Sequence, residues 1–134
     1  NMNTPNLPKT VFVDIDGTII KHHGGLENSL NELLKPTYVP TALPNVQERI
    51  WEWDSKNYTV ILTTGRKESS RRVTEEQLEK LGIVYDQLIM GIGPGPRVLI
   101  NDADPDFPET KMAMGITLER DEGIGSKKID SLRI

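Results

Sequence analysis

Two carboxylates one residue apart, Asp14 and Asp16, close an apolar and β-branched run, Thr10-Val11-Phe12-Val13, and Gly17-Thr18 follows them. The run reads as a buried parallel strand. Alternation along it puts Asp14 and Asp16 on one side of the strand. Two anions that close repel unless a cation or a shared proton relieves them. The carboxyl ends of strands are where open α/β sheets place their ligands. The chemistry suited to this spacing is a metal-assisted site, with one carboxylate as nucleophile and the other as acid/base. Gly17 lets the backbone turn sharply or come close to a ligand. An Asp-Gly pair alone is an ordinary turn, so partners must come from elsewhere in the chain.

Two further strand ends supply candidates. Tyr58-Thr59-Val60-Ile61-Leu62-Thr63 is dense in β-branched residues and stops at Thr64-Gly65-Arg66. A hydroxyl with turn amides at a helix start suits a phosphate group, and the same residues would equally serve as a turn and cap. Arg97-Val98-Leu99-Ile100-Asn101 is a third apolar run, and it ends in Asp102-Ala103-Asp104-Pro105-Asp106. Several carboxylates at a strand end suit a hard divalent cation with oxygen ligands; a solvated acidic turn is the alternative. His22 and His23 are adjacent, so on a strand they point to opposite faces and do not easily share one ion. They read as exposed flap residues.

The elements that must position these residues follow from pattern. The first strand is expected over Thr10 to Ile15. Gly17 to Gly25 is expected to form a small β-flap closed by Gly24-Gly25, with a short helix in Leu26 to Leu34. Pro36, Pro40 and Pro44 keep Lys35 to Pro44 irregular. A helix begins near Pro44, with Val46, Ile50 and Trp53 as its buried face, and ends near Lys56-Asn57. Lys67 to Leu81 is helical with Gly82 as C-cap; Thr74-Glu75-Glu76-Gln77 has capping-box form and predicts a break near Val73. Leu88-Ile89-Met90 is a short strand, Gly91 to Pro96 is irregular, and Gly115 to Leu118 is a last strand. From Asp121 on the tail is polar and expected to be peripheral. Strands alternating with helices give an α/β domain with a mainly parallel sheet. The link from Met90 to Val98 is shorter than a helical crossover requires. It must cross the sheet as an extended loop, or one of these strands is not parallel.

Composition bounds the rest. The chain has 134 residues, which predicts a single domain over 1–134, with 17–44 as a flap and irregular insertion. Charged residues are 27% of it and no apolar run reaches membrane-spanning length, so a soluble domain is expected and no membrane association. The net charge is −4 with no basic block, which gives no electrostatic case for nucleic acid. There is no signal-peptide pattern at the start. With no cysteine there is no disulfide and no thiolate, and the default compartment is the cytoplasm.

Asp14-Ile15-Asp16-Gly17-Thr18 resembles the first motif of the haloacid dehalogenase superfamily, whose members are mostly phosphatases. The strand ending in Thr63-Thr64-Gly65-Arg66 resembles the second motif, with Thr64 the better match and Thr63 open. Asp102 and Asp106 resemble the fourth, with Asn101 in place of its usual glycine. The three occur in family order and span Val11 to Asp106. The third motif, a lysine or arginine, is the departure: Arg97 is the only cation between Lys80 and Asp102. Lys67, Lys80, Arg66 and Lys111 are weaker candidates.

The resemblance implies a Rossmann-like three-layer sandwich around a mainly parallel sheet, without a cap domain because Gly17 to Pro44 is too short for one. It places the first-motif strand between the strands of motifs two and four, bringing Asp14, Thr64 and Asp102 together. It implies Asp14 as nucleophile, Asp16 as acid then base, and Thr64, Gly65 and Arg97 as phosphate-binding. It implies Mg²⁺ held through Asp14, Asp16, Asp102 and Asp106. The expected substrate is a small phosphate ester, with a leaning to a sugar phosphate. A receiver-like phosphoryl acceptor and a catalytically idle phosphate-binding domain are the alternatives. Without a cap, water is excluded by the flap, the substrate or a neighbouring subunit, which leaves a homo-oligomer open.

Overall fold

The computed structural model describes residues 7–22 and 38–134. The flap tip with His23, Gly24 and Gly25, the helix expected in Leu26 to Leu34, and Pro36 lie outside the described residues.

Among the described residues the structure is an α/β arrangement built on a parallel sheet of three strands in the order β1-β2-β3. Strand β1 is Thr10–Asp14, β2 is Thr59–Thr63 and β3 is Gln87–Ile89. Val60, Ile61 and Leu62 of central β2 are all buried, as an apolar β-branched run covered on both faces should be. β1 is an edge strand: Val13 is 4% exposed but Phe12 is 49% exposed.

Helix α1, Val46–Ser55, follows the expected pattern, with Val46, Ile50 and Trp53 on one buried face. Asn57, at φ 61°, ends it in the left-handed conformation that asparagine tolerates. A 3₁₀ turn, Glu68–Ser70, leads into α2, Arg71–Lys80. The break expected near Val73 therefore falls earlier. The capping-box expectation is corrected: Thr74 is inside α2 and fully buried, and its hydroxyl meets Arg66 rather than a helix-end amide. Gly82, at φ 68°, caps the C-terminus as expected.

Two expected strands are absent, and a third element was not expected. Arg97 to Asn101 forms no ladder; Val98 is 80% and Ile100 89% exposed. The amides of Gly91 and Ile92 bond to the carbonyls of Arg66 and Thr64, at 2.8 and 2.9 Å. The chain leaving β3 is thus pinned at the carboxyl end of β2. The few residues left before Arg97 include Pro94 and Pro96, too short and too poor in donors for a parallel crossover. Consequently β1 has β2 as its one ladder partner among the described residues, and does not lie between two strands. Gly115 to Leu118 is likewise not a strand.

The tail is not peripheral. It forms α3, Lys127–Leu132, and buries Ile124 and Ile129 in the core. Arg49 of α1 holds it there: its Nε donates to the Ile124 carbonyl at 2.8 Å, and Nη2 pairs with the Asp130 carboxylate. The Lys21 amide donates to the Thr41 carbonyl at 2.8 Å and the Leu43 amide to the Ile19 carbonyl at 2.9 Å, an antiparallel neck. Among the described residues no helix is long and apolar enough to cross a membrane.

Candidate active site

The residues after β1 form a tight coil that fixes both leading carboxylates. The Ile15 carbonyl accepts from the amides of Thr18, Ile19 and Ile20, at 3.1, 2.9 and 3.1 Å. Ile15, Ile19 and Ile20 are all buried to 1% exposure or less, so the coil is anchored in the core by its own side chains. Gly17 has φ 88°, which only a residue without a Cβ adopts freely.

Asp14 is the last residue of β1 and pairs in register with Thr63, the last of β2. Residues paired across parallel strands send their side chains to the same face, so Asp14 and Thr63 are neighbours at the carboxyl edge of the sheet. Asp14 Oδ2 accepts from Thr18 Oγ1 at 3.4 Å. Burial holds the Asp14 carboxyl above the usual aspartate range; the charge of Arg97 opposes that shift and the charge of Asp16 adds to it.

Asp16 sits in a different environment. Arg66 donates to both of its oxygens, Nε to Oδ2 at 3.0 Å and Nη2 to Oδ1 at 2.8 Å. This is a forked guanidinium–carboxylate pair, the geometry that gives direction as well as strength. Arg66 is 4% exposed, and its remaining nitrogen, Nη1, donates to Thr74 Oγ1 at 3.1 Å and Gln77 Oε1 at 2.7 Å.

Thr64-Gly65-Arg66 turns the chain at the end of β2. Thr64 is 1% exposed and its hydroxyl accepts the Arg66 amide at 3.1 Å. Thr63, partly exposed, is the hydroxyl residue beside Asp14. A Cβ on Gly65 would lie 3.2 Å from the Ile92 carbonyl oxygen, so glycine there allows the β3 exit loop to close over the turn. That loop also carries Arg97, which donates through Nη1 to the Gly95 carbonyl at 2.6 Å and whose charge acts on Asp14.

Asp102 and Asp106 are not brought to this place. Both are exposed, in an acidic turn where the Asp106 amide bonds to Asp104 Oδ1 at 2.9 Å. Among the described residues no group of three or more histidines, aspartates or glutamates is placed to hold a metal ion. The donor set expected for Mg²⁺ is therefore not assembled: Asp14 and Asp16 stand at the strand end without Asp102, and both Asp16 oxygens are engaged by Arg66.

Sequence reasoning weighed Arg66 only as a spare cation. Its signal was the position of Thr74 and Gln77, two polar residues three apart on the buried face of α2. It also missed the return of the tail. Arg120 Cγ lies 3.4 Å from the position of a Cβ on Gly17, and Asp121 accepts the His22 amide at 2.7 Å while its own amide donates to the Gly17 carbonyl at 2.8 Å.

No family model matches the chain, and no curated protein matches it. Solved structures do. One, of a Pnkp1/Rnl/Hen1 complex, is 30% identical with a TM-score of 0.52, over 69% of this chain and 31% of that one. A second, of the Pnkp1/Rnl/Hen1 RNA repair complex, is 30% identical with a TM-score of 0.52, over 75% and 29%. A third, the D,D-heptose 1,7-bisphosphate phosphatase from B. bronchiseptica with magnesium and phosphate, is 21% identical with a TM-score of 0.43, over 64% and 51%. The chain thus spans under a third of the length of the first two.

Proposed function

We propose that this domain is a phosphoric monoester hydrolase of the haloacid dehalogenase type, working through a phosphorylated Asp14. The observation that carries the reading is the contrast at the end of β1. Asp14 faces the sheet edge beside Thr63 under the charge of Arg97, while Asp16, one residue on, is held in a fixed direction by Arg66.

In this reading the Asp14 carboxylate attacks phosphorus and the bond from phosphorus to the ester oxygen breaks. Asp16 gives its proton to the departing oxygen. Water then attacks the aspartyl-phosphate, Asp16 takes the water proton, and Asp14 leaves as carboxylate with inorganic phosphate as product. Thr63 or Thr64 with Gly65 borders the phosphoryl oxygens, and Arg97 offsets the negative charge gathered there. The resemblance assigns Mg²⁺ to the oxygen donors Asp14, Asp16, Asp102 and Asp106, which the structure does not bring together.

A small phosphate ester, such as a sugar phosphate, is the first substrate class. A phosphate monoester at a nucleic-acid end is the second, favoured by the 30% identity to proteins of an RNA repair complex. The test is phosphate release from a panel holding p-nitrophenyl phosphate, sugar phosphates and an RNA with a terminal phosphate, with Asp14→Asn as control. Release by the wild type alone supports the hydrolase. A single stoichiometric labelling of Asp14 without turnover would make the domain a phosphoryl acceptor. Neither release nor labelling would leave a binding domain.

A further inference from the structure

We infer that Thr74 and Gln77 of α2 are positioning residues for Asp16, acting through Arg66. A carboxylate has about four lone-pair sites. The Arg66 fork occupies one on each Asp16 oxygen, so the remaining two lie on the edges turned away from the guanidinium. Those are the sites from which a proton can pass to a leaving group or be taken from water. The direction of the fork therefore decides where Asp16 delivers its proton.

The fork is itself held from behind. Arg66 Nε and Nη2 face Asp16, and Nη1 is tied to Thr74 Oγ1 at 3.1 Å and Gln77 Oε1 at 2.7 Å. All three side chains behind Asp16 are buried, with Arg66 4%, Thr74 0% and Gln77 2% exposed. A buried guanidinium cannot choose another partner without leaving a polar atom unpaired. Thr74 and Gln77 sit three residues apart on one face of a helix whose Leu78 is in the core, so they are fixed relative to the sheet. The chain of contacts runs from α2 through Arg66 to the acid/base carboxylate.

This inference rests on the reading of Asp16 as proton donor. It is tested with two esters on each protein, 2,4-dinitrophenyl phosphate, whose leaving group needs no proton, and phenyl phosphate, whose leaving group does. The variants are Gln77→Leu and Thr74→Val, with Gln77→Glu as the conservative form that keeps an acceptor for Nη1. In Gln77→Leu and Thr74→Val, kcat/KM for phenyl phosphate, which reports the steps up to loss of the leaving group, is expected to fall roughly ten- to a hundredfold. For the activated ester kcat/KM should change less than about threefold, and Gln77→Glu should restore the wild-type ratio of the two kcat/KM values. The ratio of the two esters is internal to each sample, so a partly unfolded variant does not alter it. Equal losses on both esters, or no loss on phenyl phosphate, would overturn the inference while leaving the hydrolase reading intact. A wild type inactive toward both esters would overturn both.

Discussion

Asp14 and Asp16 are separated by one residue and have opposite surroundings. Asp16 accepts two hydrogen bonds from a buried guanidinium, whereas Asp14 accepts a long one from Thr18 and is pushed toward its neutral form by burial. The nucleophilic role proposed for Asp14 needs its ionised form, and the charge of Arg97 is what opposes the effect of burial there. The division falls where the chain leaves β1: Asp14 belongs to the strand, and Asp16 to the coil that Ile15, Ile19 and Ile20 anchor.

Asp14→Asn is expected to abolish turnover and to raise thermal stability. An amide neither attacks phosphorus nor forms the acyl phosphate. The stability sign follows from the raised Asp14 pKa. The folded state holds the proton more tightly than the unfolded chain, so stability falls as pH rises from the ordinary aspartate value through the folded one. At neutral pH the ionised, half-buried Asp14 destabilises the fold, and asparagine removes that cost. Melting curves should place the variant above wild type at neutral pH, with the gap closing in acid. Activity within about tenfold of wild type, a barrier change of only about 1.4 kcal/mol, would exclude Asp14 as nucleophile.

Arg97→Ala is expected to lower kcat by on the order of a hundredfold, as for loss of one donor to a developing oxyanion. In an extended strand ending at Asp102, Arg97 would stand about 17 Å from the carboxyl end. The loop through Gly95 instead brings its charge to bear on Asp14, where it opposes the effect of burial. Removing that charge raises the Asp14 pKa further, so the acid limb of the rate profile should move to higher pH. A pH–rate profile and kcat both unchanged in the variant would remove Arg97 from the site and make Arg120 the cation to test.

Much of this arrangement is legible in the sequence, and what is not has identifiable causes. β1, β2 and α1 follow from apolar period alone, because Val13, Leu62, Val46, Ile50 and Trp53 have no other place to go. Val98-Leu99-Ile100 carries the same local pattern as β2, but its position is decided by the pinning of Gly91 and Ile92 to the end of β2. Local propensity carries no information on that pairing. The tail misled because Ile124 and Ile129 are isolated among polar residues, and the contact that recruits them is Arg49, far away in the chain. The Arg66–Asp16 pair joins residues separated by 50 positions, and a Thr-Gly-Arg turn gives no indication of which carboxylate its arginine will meet.

Chelation is expected to stop turnover and Mg²⁺ to restore it. A dianionic ester approaching Asp14 faces repulsion that Arg97 alone offsets poorly, and oxygen donors select a hard cation. Since Asp102 and Asp106 lie apart from Asp14 in the structure, Asp102→Asn separates two arrangements. A rise in the Mg²⁺ concentration needed for half-maximal rate would mean that Asp102 joins the cation during the reaction. An unchanged Mg²⁺ dependence would confine the cation to the end of β1, and full turnover in excess chelator would refute the cation requirement.

Gly125→Ala is expected to unfold the tail from the site. Gly125 packs directly on the Pro44–Asn45 turn that starts α1. A Cβ there would overlap the Pro44 carbonyl oxygen and lie 2.7 Å from Asn45 Cβ and 2.9 Å from the Asn45 carbonyl carbon. Two of these three atoms are backbone, and Asn45 is already at φ 60°, so the turn has little freedom to retreat. Overpacking of this kind costs about 2 kcal/mol. The segment that must yield is the one carrying Arg120 and Asp121, which bonds to Gly17 and His22 beside the Asp14–Asp16 coil. Lower thermal stability should therefore come with a higher KM, since the support of the Gly17 turn is loosened while Asp14 itself is untouched. Gly115→Ala is the control: a Cβ there meets nothing within 4 Å, and neither stability nor KM should move. Equal melting temperatures for Gly125→Ala and wild type would show that the tail does not pack on the α1 turn in solution.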